Sequence, residues 1–276
     1  VVGVIVLMAW TCLGFSIMNR KISRNKRDIR KIKGTVERIA RKLSMADNIV
    51  YVDGVKFWVP NFPADLIQRT QADGKFFEQE LLEQLDSYMN ENSVVLDIGA
   101  NVGNHTVYWS RVSCGGKGVR RVYSFEPISS TFAILKRNFE LNGLDKDRVV
   151  LNNVGLGRRE SLASVIAYDY KNIGGTILET DNNGAIRIIS LDEYLASGAF
   201  KDKKIDFVKI DVEGFEEDVL VGARKTLDTH SPIIWIEAWK NNFEKIDKLL
   251  NSFNYKLEKI LGGDNYLYIR REGSEK

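Results

Sequence analysis

The sequence predicts an α/β protein built on a doubly wound, mostly parallel sheet of seven strands. From Ser93 onward, short apolar runs alternate with segments of helical periodicity, which is the pattern of consecutive β-α-β units. Two late apolar runs are joined through Gly262-Gly263-Asp264, which predicts an antiparallel hairpin that closes the sheet. The predicted strands lie near 93–98, 119–125, 148–152, 205–210, 233–237, 254–260 and 265–270, and the predicted helices near 103–112, 129–142, 191–197, 215–227 and 241–253.

The first 18 residues contain no charged residue and no proline. As a helix they would span roughly 27 Å, close to the ~30 Å hydrocarbon core of a bilayer. We therefore expect residues 1–18 to be a single-pass transmembrane segment, although a signal-peptide core or a buried helix would have the same composition. A basic segment follows directly, so the positive-inside rule places the downstream domain in the cytosol.

The basic segment covers residues 19–47. Residues 20–42 hold eleven Lys or Arg and two acids, whereas the net charge of the whole chain is only +3. An apolar stripe recurs every three or four residues, which predicts an amphipathic helical stalk. Such a stalk could form a coiled coil and hence a homodimer, lie on an anionic membrane, or be a solvated linker. The rest of the chain is mildly acidic, and we expect no nucleic-acid partner.

The globular domain is expected over residues 48–276, with its core at 76–270. Residues 48–60 alternate apolar and polar side chains around Asp53-Gly54, which predicts a β-hairpin. Residues 163–167 and 186–189 are candidate strands. Between them, residues 168–176 hold tyrosines, an asparagine and a Gly pair. This stretch suits either a polar surface for a small molecule or a solvent-exposed hairpin.

The most informative segment is Asp97-Ile-Gly-Ala-Asn-Val-Gly103, which follows an apolar run. It predicts a strand that ends in a glycine turn and opens a helix, at the edge where α/β sheets bind ligands. Asp97 stands where a dinucleotide fingerprint would have its first glycine. A carboxylate there would repel a pyrophosphate and suits a ligand with a cationic amine, such as S-adenosylmethionine.

Acidic residues end two further predicted strands. Glu126 follows the second strand and is placed to accept both hydroxyls of a ribose. Asp211 and Glu213 follow the strand at 205–210, and in an extended chain they would point to the same side. One of them, with Asp211 preferred, could orient or deprotonate a substrate hydroxyl. Alternatively, Glu213 could be an ordinary acid at a helix N-terminus.

His105 follows the glycine turn, where it could act as a base or simply pack or cap. No His/Asp cluster has the spacing of metal ligands, so no metal is predicted, although a divalent ion held by Asp211, Glu213 or Glu237 is an open alternative. The sequence also lacks an Asn/Asp-Pro-Pro-Tyr/Phe run for a planar amine and a Pro-Cys nucleophile for a pyrimidine. Planar amines and pyrimidine rings are therefore disfavoured as methyl acceptors.

The ordered motifs resemble those of the FkbM family of methyltransferases. They are the turn at Asp97, Phe125-Glu-Pro127, Asn153-Val-Gly-Leu-Gly157, Ile189-Ser-Leu-Asp-Glu-Tyr194, Val208-Lys-Ile-Asp-Val-Glu-Gly214 and Ile234-Trp-Ile-Glu237. The resemblance implies a class I, Rossmann-like methyltransferase fold, S-adenosylmethionine as the donor, and O-methylation of a hydroxyl on a sugar, glycan or other small molecule. It covers roughly residues 76–270 and does not include the N-terminal segments.

The resemblance also implies roles for individual residues. The acceptor would face Asp211 and Glu213. The adenine would lie near Val154 and Gly155, where the family commonly has alanine in place of Gly155. The remaining donor-site residues would be Asp97, Gly99, Ala100, Asn101, Gly103, Thr106, Glu126 and Pro127. Alternatives that the residues leave open are a nitrogen or protein acceptor, an inactive membrane-tethered protein with the same fold, and a nucleotide-dependent oxidoreductase.

Overall fold

The computed structural model describes residues 46–169 and 171–271. The strands are β1 (Ile49–Val52), β2 (Val55–Trp58), β3 (Val94–Ile98), β4 (Arg121–Phe125), β5 (Val149–Asn152), β6 (Gly155–Leu156), β7 (Ser161–Ala167), β8 (Ile177–Thr180), β9 (Ile186–Ile189), β10 (Phe207–Ile210), β11 (Ile233–Glu237), β12 (Tyr255–Gly262) and β13 (Asn265–Arg270). The helices are α1 (Leu66–Ala72), α2 (Gln79–Leu85), α3 (Asn104–Arg111), α4 (Ser129–Leu141), α5 (Leu191–Ala196), α6 (Glu216–Gly222), α7 (Arg224–His230) and α8 (Lys240–Ser252). Short 3-10 turns lie at Ala46–Asn48, Asp86–Tyr88 and Ile173–Gly175.

A seven-stranded sheet forms the centre of the domain, in the order β12-β13-β11-β10-β3-β4-β5. The five strands from β11 to β5 pair in parallel, whereas β13 is antiparallel to both of its neighbours. The predicted doubly wound sheet with a closing hairpin is therefore confirmed. All five residues of β3 are buried, as expected for a central strand covered by helices on both faces.

The order of the strands creates the ligand-binding edge. Strands β3 and β10 are neighbours, and each is continued by a parallel strand on its other side. The chain leaves β3 toward β4 on one side and leaves β10 toward β11 on the other. A crevice opens where the winding reverses in this way, outside the carboxyl ends of the two strands.

Two smaller sheets flank this core. The predicted hairpin at residues 48–60 is present as β1 and β2, with Asp53 and Gly54 at positive φ in its turn. Strands β6, β9, β7 and β8 form a separate four-stranded sheet. The candidate strands at 163–167 and 186–189 correspond to β7 and β9, and β8 is an additional strand that pairs antiparallel with β7.

One predicted helix is divided in two. The helix expected over 215–227 ends at Gly222 and a second helix begins at Arg224, with Ala223 between them at ψ 5°. A side chain at Gly222 would overlap the carbonyl of Gly157 after β6. The end of α6 therefore lies close to the backbone that follows β6.

The predicted membrane span and most of the stalk lie outside the described residues. Within residues 46–169 and 171–271, none of the helices is long and apolar enough to cross a bilayer.

Candidate functional site

A pocket of about 960 Å³, including its solvent-filled mouth, opens at the carboxyl ends of the central strands. Seven of the predicted site residues line it: Gly99, Asn101, Glu126, Pro127, Gly155, Asp211 and Glu213. They come from segments that follow β3, β4, β5 and β10. The parallel pairing of the central strands therefore brings distant parts of the sequence to one edge of the sheet.

Gly99 forms the tight turn after β3. Its φ is +80°, and a Cβ at this position would overlap the backbone carbonyl of Asp211 at the end of β10. The amides of Gly99 and Ala100 both donate to the carbonyl of Phe125, at 3.0 Å. Glycine is required here because the turn packs directly against the end of the neighbouring strand, where a side chain would collide with the backbone.

Glu126 lies at the end of β4 and is almost completely buried. Its Oε2 accepts a hydrogen bond from the backbone amide of Asn101, and its Oε1 accepts one from the amide of Ile128. Burial raises the pKa of Glu126 to about 7, although these two amides favour the ionised form. Each oxygen retains a lone pair, so the carboxylate can still accept hydroxyl groups from a ligand.

Asp211 and Glu213 both line the pocket, but not for the reason that the sequence suggested. Strand β10 ends at Ile210, and Glu213 has a left-handed φ of 49°. The backbone therefore turns between the two acids, and they are not on one side of an extended strand. The first turn of α6 begins at Glu216, so the helix-terminal interpretation applies to Glu216 and not to Glu213.

Glu213 is an acid with an unusual environment. Burial is the main cause that raises its pKa, to about 7, and the negative charges of Asp211 and Glu216 add to the effect. A carboxylate with a pKa close to neutrality can accept a proton more effectively than an ordinary one.

Lys209 is a functional residue that the sequence reasoning missed. Its side chain is 2% exposed, and its Nζ lies 2.9 Å from Asp211 Oδ2 and 3.4 Å from the Gly99 carbonyl. Strand register places it directly between Asp97 on β3 and Trp235 on β11. Burial alone would lower the pKa of Lys209, but the charges of Asp211 and Asp97 outweigh it and raise the pKa. The available signal was a lysine inside an otherwise apolar strand.

Asp97 does not face the pocket, which corrects the expectation that it meets a cationic ligand. It is fully buried, with Oδ2 accepting a 2.6 Å hydrogen bond from Thr106 and Oδ1 lying 4.0 Å from Lys209 Nζ. Thr106 is equally buried and also contacts the Ser124 hydroxyl at 2.8 Å. The cation beside Asp97 is therefore a lysine of the same protein, and both side chains support the turn from beneath.

Three other predicted donor residues are placed behind the pocket wall. Ala100 is buried, and Gly103, at φ +87°, packs against Leu135 of α4. Val154 packs against the core and does not line the pocket. The neighbouring Gly155 does line it, where a Cβ would meet Ile188 and Pro127. These positions shape the backbone around the pocket without presenting a side chain to it.

His105 also lies outside the pocket. Its ring packs against Trp109 and Trp235, with centroid distances of 5.7 and 5.2 Å. Its Nε2 lies 3.2 Å from a carboxylate oxygen of Glu78. This environment corresponds to the packing interpretation, and we do not retain His105 as a catalytic base.

Glu237 is a second residue that the sequence reasoning did not assign to the site. It ends β11 and lines the pocket. Burial raises its pKa to about 8, and the nearby charge of Asp211 contributes further. The signal was again an acid at the carboxyl end of an apolar strand.

In the described part of the chain, no group of three or more His, Cys, Asp or Glu side chains is arranged to hold a metal ion.

The loop at 171–176 forms one wall of the pocket. It is bound to the start of α1, since Asp65 Oδ2 accepts a hydrogen bond from the Ile173 amide and the Leu66 amide donates to the Lys171 carbonyl, both at 3.0 Å. Asn172 and Ile173 line the pocket. Residues 171–176 therefore lead into β8 of the antiparallel pair β7 and β8, and they also form part of the pocket wall.

Comparison with known proteins agrees with this geometry. A profile of the Methyltransferase FkbM domain matches residues 97–257, which are more than half of the chain. The hexuronic acid methyltransferase AglP of Haloferax volcanii is 29% identical over 157 residues, covering 57% of this chain and 61% of AglP. Methyltransferase 1 of Beauveria bassiana is 25% identical over 152 residues, covering 48% of this chain and 59% of that protein. The alignments thus span about three fifths of the length of these curated relatives.

Among solved structures, the FkbM methyltransferase of Methylobacillus flagellatus KT superposes with a TM-score of 0.46 at 21% identity, covering 66% of this chain and 44% of that one. The profile match begins at the turn that contains Gly99 and extends past Asp211, Glu213 and Glu237. It therefore includes strands β4, β5, β10 and β11 and the polar residues that line the pocket. The chain belongs to the FkbM methyltransferase family.

Proposed function

We propose that the protein is an S-adenosylmethionine-dependent O-methyltransferase that acts on a hydroxyl of a sugar or glycan. The observation that carries the proposal is that Asp211 and Glu213 share one pocket with the Gly99 turn and Glu126. The glycine turn and Glu126 make a surface for the donor. The two acids at the end of β10 make an adjacent surface for the hydroxyl that receives the methyl group.

The residues present fit the methyl donor that the family uses, S-adenosylmethionine. Glu126 would accept the ribose hydroxyls, because its two oxygens are fixed by backbone amides and each has a free lone pair. Gly99 lets the turn lie directly against the backbone of Asp211, where a Cβ would collide, so the turn and the acid at the end of β10 border the same pocket. When bound, the donor supplies an electrophilic methyl group, and the protein contributes mainly by alignment.

Glu213 is better suited than Asp211 to remove the hydroxyl proton. Lys209 Nζ lies 2.9 Å from Asp211 Oδ2, so one oxygen of Asp211 is already bound to a cation of the protein. The pKa of Glu213 is raised to about 7, mainly by burial, and a general base works best with a pKa near the working pH. Asp211 would then orient the hydroxyl, and Glu213 would take its proton.

A sugar acceptor is supported by the relative AglP, whose name describes a methyltransferase acting on a hexuronic acid. The aligned region covers 61% of AglP, so the support concerns the domain that is shared. Polar groups of the 171–176 loop, such as the Asn172 side chain at the pocket wall, suit a ligand with several hydroxyls.

The proposal is tested with purified protein, radiolabelled S-adenosylmethionine and methyl glycosides of common sugars, with primary amines as the competing acceptor class. We expect label in sugars and not in amines. Glu213→Gln should lower kcat by about 100-fold or more, the usual effect of losing a general base, while the affinity for S-adenosylhomocysteine stays the same. Transfer to amines alone would overturn the sugar hydroxyl as acceptor. Failure to bind S-adenosylmethionine would overturn the enzyme assignment itself.

We also propose that the protein acts at a membrane, with the catalytic domain in the cytosol and the basic segment as a dimerisation site. The support is the uncharged run at 1–18 and the eleven basic residues in 20–42, both read from the sequence. Expression of the full chain followed by membrane flotation tests this. Recovery in the soluble fraction after a carbonate wash would contradict a transmembrane anchor.

A further inference from the structure

The charged side chains that line the pocket all have the same sign. Among the described residues around the pocket there are four carboxylates and no lysine, arginine or histidine; the four are Glu126, Asp211, Glu213 and Glu237. Glu126 lies on the side of the glycine turn, where its amide partners are Asn101 and Ile128. Asp211 and Glu213 follow β10, on the side assigned to the acceptor, and Glu237 is the last residue of the neighbouring strand β11.

The nearest ammonium group cannot serve a ligand. Lys209 is 2% exposed, and its Nζ contacts Asp211 at 2.9 Å and the Gly99 carbonyl at 3.4 Å. It also lies over the Trp235 ring, 5.8 Å from the centroid. Its charge is therefore used within the protein, beneath the pocket surface. Lys209 also lies near both Asp97 and Asp211, so its single positive charge does not neutralise all the acids on the acceptor side.

The described residues that line the pocket supply no cation to balance these acids. Burial, followed by the charge of Asp211, raises the pKa of Glu213 to about 7 and that of Glu237 to about 8. Both carboxyl groups therefore lose their protons less readily than an ordinary glutamate does. A second negative group brought into this space would add to the repulsion, whereas a cation would relieve it.

We propose that the acceptor carries no carboxylate or phosphate near the methylated hydroxyl, and that this pocket prefers amino sugars to neutral sugars and rejects uronic acids. The inference rests on the proposed function, since it names the class of sugar for the same site. It separates this protein from the hexuronic acid methyltransferase to which it is similar, because an anionic sugar would need a cation that the described pocket wall does not offer.

The test compares three methyl glycosides that differ in charge: those of glucosamine, glucose and glucuronic acid, each assayed with S-adenosylmethionine at pH 7.5. We expect kcat/KM to fall in that order, with the glucosaminide at least about tenfold above the glucuronide, as like charges brought together in a binding site oppose association. Because a bound ammonium favours the ionised form of Glu237, Glu237→Gln should narrow this ratio severalfold. The matched control is Glu244→Gln, an exposed acid on α8, which should leave the ratio unchanged.

The outcomes distinguish the two proposals. Methylation of the glucuronide at a rate equal to or above that of the glucosaminide would overturn the charge preference while the sugar methyltransferase activity stands. A Glu237→Gln variant that binds S-adenosylmethionine more weakly but keeps the acceptor ratio would also overturn it, because Glu237 would then serve the donor. If S-adenosylmethionine binds and none of the sugars is methylated, the proposed function itself fails. Circular dichroism of the variant confirms that it is folded.

Discussion

The ammonium of Lys209 lies 2.9 Å from Asp211 Oδ2, and the same side chain is the register partner of Asp97 on the neighbouring strand. One buried cation thus supports both sides of the pocket: the glycine turn that Asp97 precedes and the acids that follow β10. This arrangement explains why Asp97, Lys209 and Asp211 are charged although they lie within or next to apolar strands.

Removing that cation should destabilise the fold. Lys209→Met leaves Asp97 and Asp211 close together without a counter-charge, and breaking a buried ion pair by removing one partner costs about 3–5 kcal/mol. Urea denaturation of the variant measures the loss. Lys248→Met on the exposed face of α8 is the control, and it should be indistinguishable from the parent protein. A similar stability for both variants would show that the buried ion pair contributes nothing.

Gly99 and Gly54 form a matched pair for testing the turn. They have nearly the same φ, +80° and +81°, but a Cβ on Gly99 would overlap the Asp211 carbonyl whereas Gly54 has open space around it. Gly54→Ala should cost only the strain of a left-handed residue, roughly 1–2 kcal/mol. Gly99→Ala should cost more, and it should abolish binding of S-adenosylhomocysteine as followed by calorimetry. Equal losses in stability with intact binding would contradict the close approach of the turn to β10.

Glu126 should be required for the donor. Glu126→Ala removes a charged acceptor from the pocket and should weaken S-adenosylhomocysteine binding by about 1–3 kcal/mol, measured by calorimetry on folded protein. Glu126→Gln keeps one of the two acceptors for the amides of Asn101 and Ile128 and should have a smaller effect. Glu140→Ala, at an exposed position of α4, is the control. Unchanged affinity in the Glu126→Ala protein would remove Glu126 from the donor site.

The acidic pocket should make stability depend on pH. The pKa of Glu237 rises from an ordinary 4.5 to about 8 on folding, mainly through burial, so the folded state binds a proton more tightly than the unfolded chain. Its stabilising contribution is therefore complete below pH 4.5 and is lost as the pH rises through 8. We expect the Tm to fall between pH 5.5 and pH 8.5. The slope should be reduced in Glu237→Gln and retained in Glu244→Gln; identical slopes in all three proteins would contradict this assignment.

The sheet could be predicted because each strand has a local signal. The apolar run at 94–98 ends at a glycine turn, and the late runs are joined by a Gly-Gly-Asp turn, so the strands and their direction follow from periodicity and turn chemistry. The division of the helix at Ala223 could not be predicted. It coincides with a close contact between Gly222 and the Gly157 carbonyl, which comes from a segment far away in the sequence.

By itself, the sequence determined the order of the elements, the glycine turn, and the acids at the ends of β4 and β10, because these depend on neighbours along the chain. Only the tertiary structure decided which acids face the pocket. Asp97 looked like a ligand contact, but strand register places it beside Lys209, and a buried charge is stable only with such a partner. The roles of Lys209 and Glu237 also depend on the tertiary structure, because the groups that surround each of these charged side chains come from other strands.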